Sequence, residues 1–207
     1  NRSGYGWDNK FYLSDRATQQ LRVFYFPNKA EIGQVEIGEN QAMAHDEAGN
    51  AIIGNWGFAG SNPVGTQTTF TLISADLKKT VKTNEVNCVQ GRADFLGKAK
   101  GNVFGSEGAV LLASGTAQDL ENIGIVAYTF TGGDEPTVEY GNVWDPDNKI
   151  GVGTWATYNY YKDADGTDHY VYVNRQASLT DITIDEGQVD TEKLYDLEDR
   201  TPNKGVC

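Results

Sequence analysis

Trp7-Asp8-Asn9-Lys10-Phe11-Tyr12-Leu13-Ser14-Asp15-Arg16 sets a polar turn against a short apolar run that ends on small or polar residues. The pattern returns as Ala48-Gly49-Asn50-Ala51-Ile52-Ile53-Gly54-Asn55-Trp56 and as Ser106-Glu107-Gly108-Ala109-Val110-Leu111-Leu112-Ala113-Ser114. A fourth copy reads Asp165-Gly166-Thr167-Asp168-His169-Tyr170-Val171-Tyr172-Val173-Asn174-Arg175. Recurrence at this scale marks a copied supersecondary unit, which constrains the fold more than any single motif in the chain. Aligned on Lys10, Asn50, Gly108 and His169, the copies lie 40, 58 and 61 residues apart. A period of roughly 40 to 60 residues suits a four-stranded blade better than a solenoid turn.

The flanks of each run fill out the unit. A second strand-like segment follows the first three: Leu21 to Phe26, Thr69 to Ser74 and Ile125 to Phe130. A third, more polar one comes next, at Gly33 to Gly38, Lys79 to Val86 and Pro136 to Tyr140. Alternation and β-branched content make both sets strands, the third being the exposed outer edge. Before each run lies a stretch of small residues, at Ser3 to Gly6, Ala42 to Asp46, Arg92 to Gly97 and Gly153 to Tyr158. Small side chains suit an innermost strand, where neighbouring sheets converge on an axis.

The expectation is an all-β, β-propeller-like chain of about four blade repeats, over 1–38, 42–87, 92–141 and 152–184. It is either a small propeller or part of a larger ring. The fourth copy takes Ser178 to Ile184 as its third strand, and the polar tail 185–207 suits a short helix at Thr191 to Arg200. A β-sandwich is the competing architecture, since evenly spaced strands and Gly-rich turns suit two packed sheets as well.

Bulk properties agree with a single β-rich domain. The 207 residues suffice for one core, and 11 Tyr, 8 Phe and 4 Trp stand beside 24 Gly with a single Met,. A formal charge of -12 makes phosphate backbones poor partners, so nucleic acid is not expected,. No stretch approaches the ~20 apolar residues of a spanning helix, and no basic-then-apolar leader opens the chain. Cys88 and Cys207 lie far apart, and their spacing leaves a disulfide open,. The triplet Asn1-Arg2-Ser3 is formally an N-glycosylation sequon,.

The repeat units, namely Trp7 to Arg16 with Leu21 to Phe26, His45-Asp46-Glu47-Ala48-Gly49-Asn50, and Gly124 to Phe130, resemble blades of uncharacterised propeller-type proteins exported by Bacteroidetes. Many of those are surface lipoproteins encoded among glycan-uptake genes. The resemblance covers most of Trp7 to Arg175 through generic blade motifs. It implies an extracytoplasmic setting, periplasm or cell surface, and supplies no catalytic residue.

In an up-and-down blade, the outer-to-inner connection and the connection between the middle strands emerge on one rim. Here those are the long ones: Trp56 to Gln67, Asn87 to Gly91, Ser114 to Asn122 and Gly141 to Ile150. Long loops grouped on a rigid face are where binding resides. They and their borders carry Trp56, Phe58, Cys88, Arg92, Trp144, Asp145 and Asp147, with Trp155 just inside. Indole faces beside carboxylates suit sugar rings, whose C–H faces stack while hydroxyls hydrogen-bond; packing between blades is the structural alternative. The candidate ligand-binding residues are Trp56, Phe58, Arg92, Trp144, Asp145 and Trp155.

Asp163-Ala164-Asp165-Gly166-Thr167-Asp168 spaces three carboxylates around a glycine, as calcium ligation requires,. Strand-like residues follow where a bidentate Glu belongs, so a hairpin turn is favoured, with Asp163, Asp165 and Asp168 as weak calcium candidates. Catalytic signatures are thin. The two histidines, His45 and His169, have no metal-site spacing, and Gly105-Ser106-Glu107-Gly108 lacks the nucleophile-elbow pattern,. His45 with Asp46, and Arg92 with Asp94, read as hydrogen-bonding residues near the axis. The expected function is non-enzymatic binding of a glycan or protein by the long-loop face. A carbohydrate hydrolase or lyase using funnel carboxylates such as Asp46, Asp94 and Asp145 is the alternative, and a structural or partner-docking module a third.

Overall fold

The computed structural model describes residues 3–38, 42–54, 67–87, 96–116, 123–132, 136–141, 157–173, 178–185 and 188–196. Among these there is no helix. The first sheet is a meander of β1 (Gly4–Trp7), β2 (Lys10–Asp15), β3 (Gln20–Tyr25) and β4 (Ala30–Glu36). Next come β5 (Ala42–His45), β6 (Ala51–Gly54), β7 (Gln67–Thr68), β8 (Phe70–Ile73), β9 (Thr80–Lys82) and β10 (Val86–Asn87). Of these, β5-β6-β8-β9 form the second sheet and β7 pairs separately with β10.

The third sheet orders β11 (Lys100–Gly101), β12 (Ala109–Thr116), β13 (Ile123–Phe130) and β14 (Thr137–Gly141). The fourth orders β15 (Thr157–Lys162), β16 (Asp168–Val173), β17 (Ser178–Asp185) and β18 (Gln188–Asp196). Pairing within each of the four is antiparallel throughout. The four repeated runs become β2, β6, β12 and β16, each the second strand of its sheet.

Four elements differ from the sequence expectation. Thr191 to Arg200 does not begin a helix: Gln188–Asp196 is β18, hydrogen-bonded to β17 as the outer strand of the fourth sheet. Its acidic and basic residues suit an edge that must not recruit another chain. In the third sheet the first strand is Lys100–Gly101, beyond the expected Arg92 to Gly97, of which 92–95 lie outside the described residues. In the second, the expected Lys79 to Val86 strand is split into β9 and β10, the latter pairing with β7; in the fourth, 153–156 of the expected Gly153 to Tyr158 lie outside the described residues and Thr157 and Tyr158 belong to β15.

Side-chain alternation sends each interior sheet's apolar residues to both faces. Met43, Ala51, Ile53 and Ile73 of the second sheet pack with Tyr5, Tyr12, Leu21 and Val23 of the first. Ala42, Ala44, Ile52, Phe70 and Leu72 pack the other way, against Ala109, Leu111, Ala113, Tyr128 and Phe130 of the third. Leu112 on the reverse of the third sheet joins Tyr158, Tyr160, Tyr170, Tyr172 and Ile182 of the fourth. Three apolar layers therefore separate four sheets taken in chain order. Each fully buried Leu, Ile or Phe contributes about 1.5–3 kcal/mol of transfer free energy.

The first strands of neighbouring sheets also meet through backbone. Lys98 forms parallel bridges with His45 on one side and Asn159 on the other. The His45 amide donates to the Gly97 carbonyl (3.3 Å), Ala99 to His45 (2.7 Å), and Tyr160 to Lys98 (3.1 Å). Gly97 is required here: a Cβ on it would stand 1.7 Å from the Tyr158 carbonyl oxygen.

Candidate functional site

Polar side chains of different sheets converge at the turns that join first and second strands. The turn after β5 carries Asp46, wholly buried. Its Oδ1 accepts from the Asn50 amide (2.8 Å), and its Oδ2 from Asn50 Nδ2 (2.8 Å) and the Val103 amide (2.8 Å). Asn50 uses its remaining capacity outward, Nδ2 donating to Asn102 Oδ1 (3.0 Å) and Oδ1 accepting from the Ala75 amide (3.0 Å). Asn102 Oδ1 also accepts from the Phe104 amide (2.9 Å). Glu47 completes the exchange: its amide donates to the Gly101 carbonyl, and its Oε2 accepts from the Gly101 amide (2.9 Å). A buried carboxylate is tolerated only when its lone pairs are filled, and here the donors come from two sheets.

Similar fastenings lie on either side. Gly49, at φ +79°, lets the Trp7 indole of the first sheet rest on the second sheet's turn, where a Cβ would stand 2.1 Å from the ring. The Tyr5 hydroxyl donates to the Gly49 carbonyl (2.9 Å). Between the third and fourth sheets, Lys100 Nζ pairs with Asp168 Oδ2, while Asp168 Oδ1 receives Tyr160 Oη (2.8 Å) and Lys162 Nζ (3.1 Å). Partial burial opposes ionisation of Asp168, but hydrogen bonds from Lys100, Tyr160 and Lys162 outweigh it and hold the carboxyl down to about 2.

Aromatic rings line the first-strand junction. Tyr5 stacks on Tyr12 (4.6 Å between centroids) and on His45 (4.5 Å), both within 7° of parallel. Burial, then the charge of Lys98, pushes His45 from its ordinary 6.5 down to about 4. Burial also lifts the Tyr12 phenol to about 12, with Asp8 and Asp76 adding to the effect.

The acidic turn expected at Asp163 to Asp168 is the β15–β16 hairpin. Asp163 Oδ1 accepts from the Asp165 (3.0 Å) and Thr167 (2.7 Å) amides, while Asp165 is exposed. His169 lies between two carboxylates, Nδ1 2.6 Å from Asp181 Oδ2 and Nε2 3.3 Å from Asp163 Oδ2, with its ring against Tyr161. Partial burial disfavours its protonation, yet the hydrogen bonds to Asp181 and Asp163 leave its pKa raised. Among the described residues, no group of three or more His, Cys, Asp or Glu is placed to hold a metal ion.

Trp56, Phe58, Arg92, Trp144, Asp145 and Trp155 all lie outside the described residues, as do Cys88, Asp94, Asp147 and Cys207. Of the three carboxylates considered for glycoside cleavage, Asp46 is thus the one described, and its oxygens are engaged by protein donors. Asp46, expected with His45 as a hydrogen-bonding residue near the axis, does hydrogen-bond, in the turn after β5. Sequence inspection missed Lys98, Lys100 and Asn102. The signal for Asn102 was its place between Gly101 and Gly105, a turn setting in which Asn caps backbone groups.

No helix among the described residues is long and apolar enough to cross a membrane. No family model matches the chain, and no curated protein does. Among solved structures, Kuenenia stuttgartiensis hydrazine synthase is similar at 12% identity and a TM-score of 0.47, over 92% of this chain and 52% of that one. The chain therefore spans about half the length of that structure.

Proposed function

We propose that the chain is a β-propeller-like binding module, acting outside the cytoplasm, that takes a glycan or a protein on the rim opposite its short turns. Face-to-face stacking of four meanders in chain order, with parallel contacts between first strands, supports blades around an axis over two sheets packed as a sandwich,.

One observation carries the binding face. The chain leaves the sheets at Gly54, Thr116, Gly141 and Val173, the C-terminal ends of second or fourth strands. Second and fourth strands run the same way in each meander, and the parallel first-strand bridges give neighbouring sheets a common sense. These exits therefore share one rim, and the segments that follow hold Trp56, Phe58, Trp144, Asp145 and Trp155. The opposite rim has its polar groups engaged in holding sheets together.

The test is an affinity-gel and glycan-array screen with the wild-type chain and the variants Trp56→Ala and Trp144→Ala. Retardation by a polysaccharide, or capture of a glycan, that weakens at least about tenfold in either variant is the expected result. Binding that both variants leave unchanged, or turnover of the polysaccharide, would overturn the proposal.

A further inference from the structure

We propose that His45 is an acid-responsive latch: neutral, it closes the junction where first strands of neighbouring sheets meet, and protonated it opens that junction while each sheet stays paired. This inference concerns the scaffold and does not depend on the binding proposal.

The geometry couples ring and junction directly. One face of the imidazole is covered by Tyr5, itself backed by Tyr12. The His45 backbone belongs to the bridge with Lys98, its amide donating to Gly97 and its carbonyl accepting from Ala99. Lys98 carries the next bridge as well, its carbonyl accepting from the Tyr160 amide. Its ammonium lies 5.5 Å from the Tyr160 ring centroid and 3.9 Å from Glu47 Oε1. Among the described residues, the charged or titratable groups next to His45 are Tyr5 of the first sheet, with Tyr12 behind it, Lys98 of the segment entering β11, and Asp46 and Glu47 of its own turn.

Asp46 is occupied by three N–H donors, and Glu47 is shared between Lys98 and the Gly101 amide. A proton on His45 therefore adds a second cation on the residue bridged to Lys98, at a partly buried position where charge repulsion is poorly screened,. Swinging the Lys98 side chain away would give up its contacts with Glu47 and the Tyr160 ring, whereas parting the His45–Lys98 bridge relieves both the repulsion and the burial of the charged ring. Because Lys98 is bridged on both sides, parting it there loosens the backbone contacts to the second and fourth sheets together. The depressed pKa of His45 fits this arrangement.

The experiment follows the Cε1–Hε1 NMR signals of the two histidines from about pH 3.5 to 8, with amide hydrogen exchange measured over the same range. The expected His45 midpoint lies below 6.5 and above the closed junction's value of about 4, because opening returns the ring toward its ordinary value,. Across it the Ala99 and Tyr160 amides should lose at least about tenfold protection while amides inside β12 keep theirs. His45→Phe, which retains a stacking ring without a proton site, should keep junction protection in acid. Lys98→Met should raise the His45 midpoint, and this second variant tests the charge coupling even if His45→Phe folds poorly. A His45 midpoint near 6.5, an unmoved midpoint in Lys98→Met, or equal junction loss in His45→Phe and wild type would each overturn the latch.

Discussion

Replacing Asp46 by alanine removes an acceptor whose two oxygens receive three hydrogen bonds, from the Asn50 amide, Asn50 Nδ2 and the Val103 amide. The residue is fully buried, so water cannot take over without opening the turn. Hydrogen bonds to a charged group are worth about 1.5–3 kcal/mol each, and the losses share one network, so the expected cost is about 3–5 kcal/mol and not their sum. For a chain of this size that lowers the melting temperature by about 6–20 °C.

Asp46→Asn keeps the shape and one strong acceptor but turns an NH2 group toward a donor, giving a cost of about 2 kcal/mol. Asp165→Ala, at an exposed turn position, should stay within about 0.5 kcal/mol of wild type,. Thermal and urea unfolding followed by circular dichroism and tyrosine fluorescence would measure all three. A loss under about 1 kcal/mol for Asp46→Ala, or equal losses for Asp46→Ala and Asp165→Ala, would refute the view that this carboxylate holds the turn between two sheets.

Gly97→Ala forces a methyl group onto the Tyr158 carbonyl and should cost at least about 3 kcal/mol; a melting temperature equal to wild type would contradict the close approach,. Asp168→Asn should destabilise by about 1 kcal/mol at neutral pH, a modest figure because Lys100 and Lys162 are partly exposed,. Since the Asp168 carboxyl is depressed from 3.8, its contribution is complete above that value and lost as pH falls through about 2, so acid unfolding curves of variant and wild type should converge there,. His169 has the opposite sign. Its raised pKa means the contribution is complete below 6.5 and lost as pH rises through the folded value, so the stability gap between wild type and His169→Gln should narrow toward alkaline pH; a constant gap would contradict it,.

The strands were legible where turn chemistry and burial coincide. Asp8-Asn9, Gly49-Asn50 and Asp165-Gly166 punctuate runs such as Ala51-Ile52-Ile53 that must be buried, and those runs are second strands,. The outer strand β18 was hidden because Glu192-Lys193-Leu194 combines good helix formers with exposure, and its partner strand decides its conformation,. The start of the third sheet was hidden for another reason: residues 97–99 hydrogen-bond to neighbouring sheets, so within-sheet pairing begins only at Lys100. Asp46 was legible as a hydrogen-bonding residue. Its partner Val103, and Asn102, which bonds its other partner Asn50, lie far along the chain, and no spacing rule links them.

The serial fastening of turns, Trp7 onto Gly49, Asp46 onto Val103 and Lys100 onto Asp168, also limits how such a chain can be recombined. Excising the second sheet as a cassette would strand the Trp7 indole and the Val103 amide, and excising the third would strand the Asp46 and Asp168 carboxylates, because each turn is fastened to the sheet that follows it. A crossover that preserves every fastening must carry a turn together with its successor's entry, whereas segments spliced in after Gly54, Thr116, Gly141 or Val173 leave all three fastenings intact. Copy number would then be costly to change, while the loops between exits stay open to replacement.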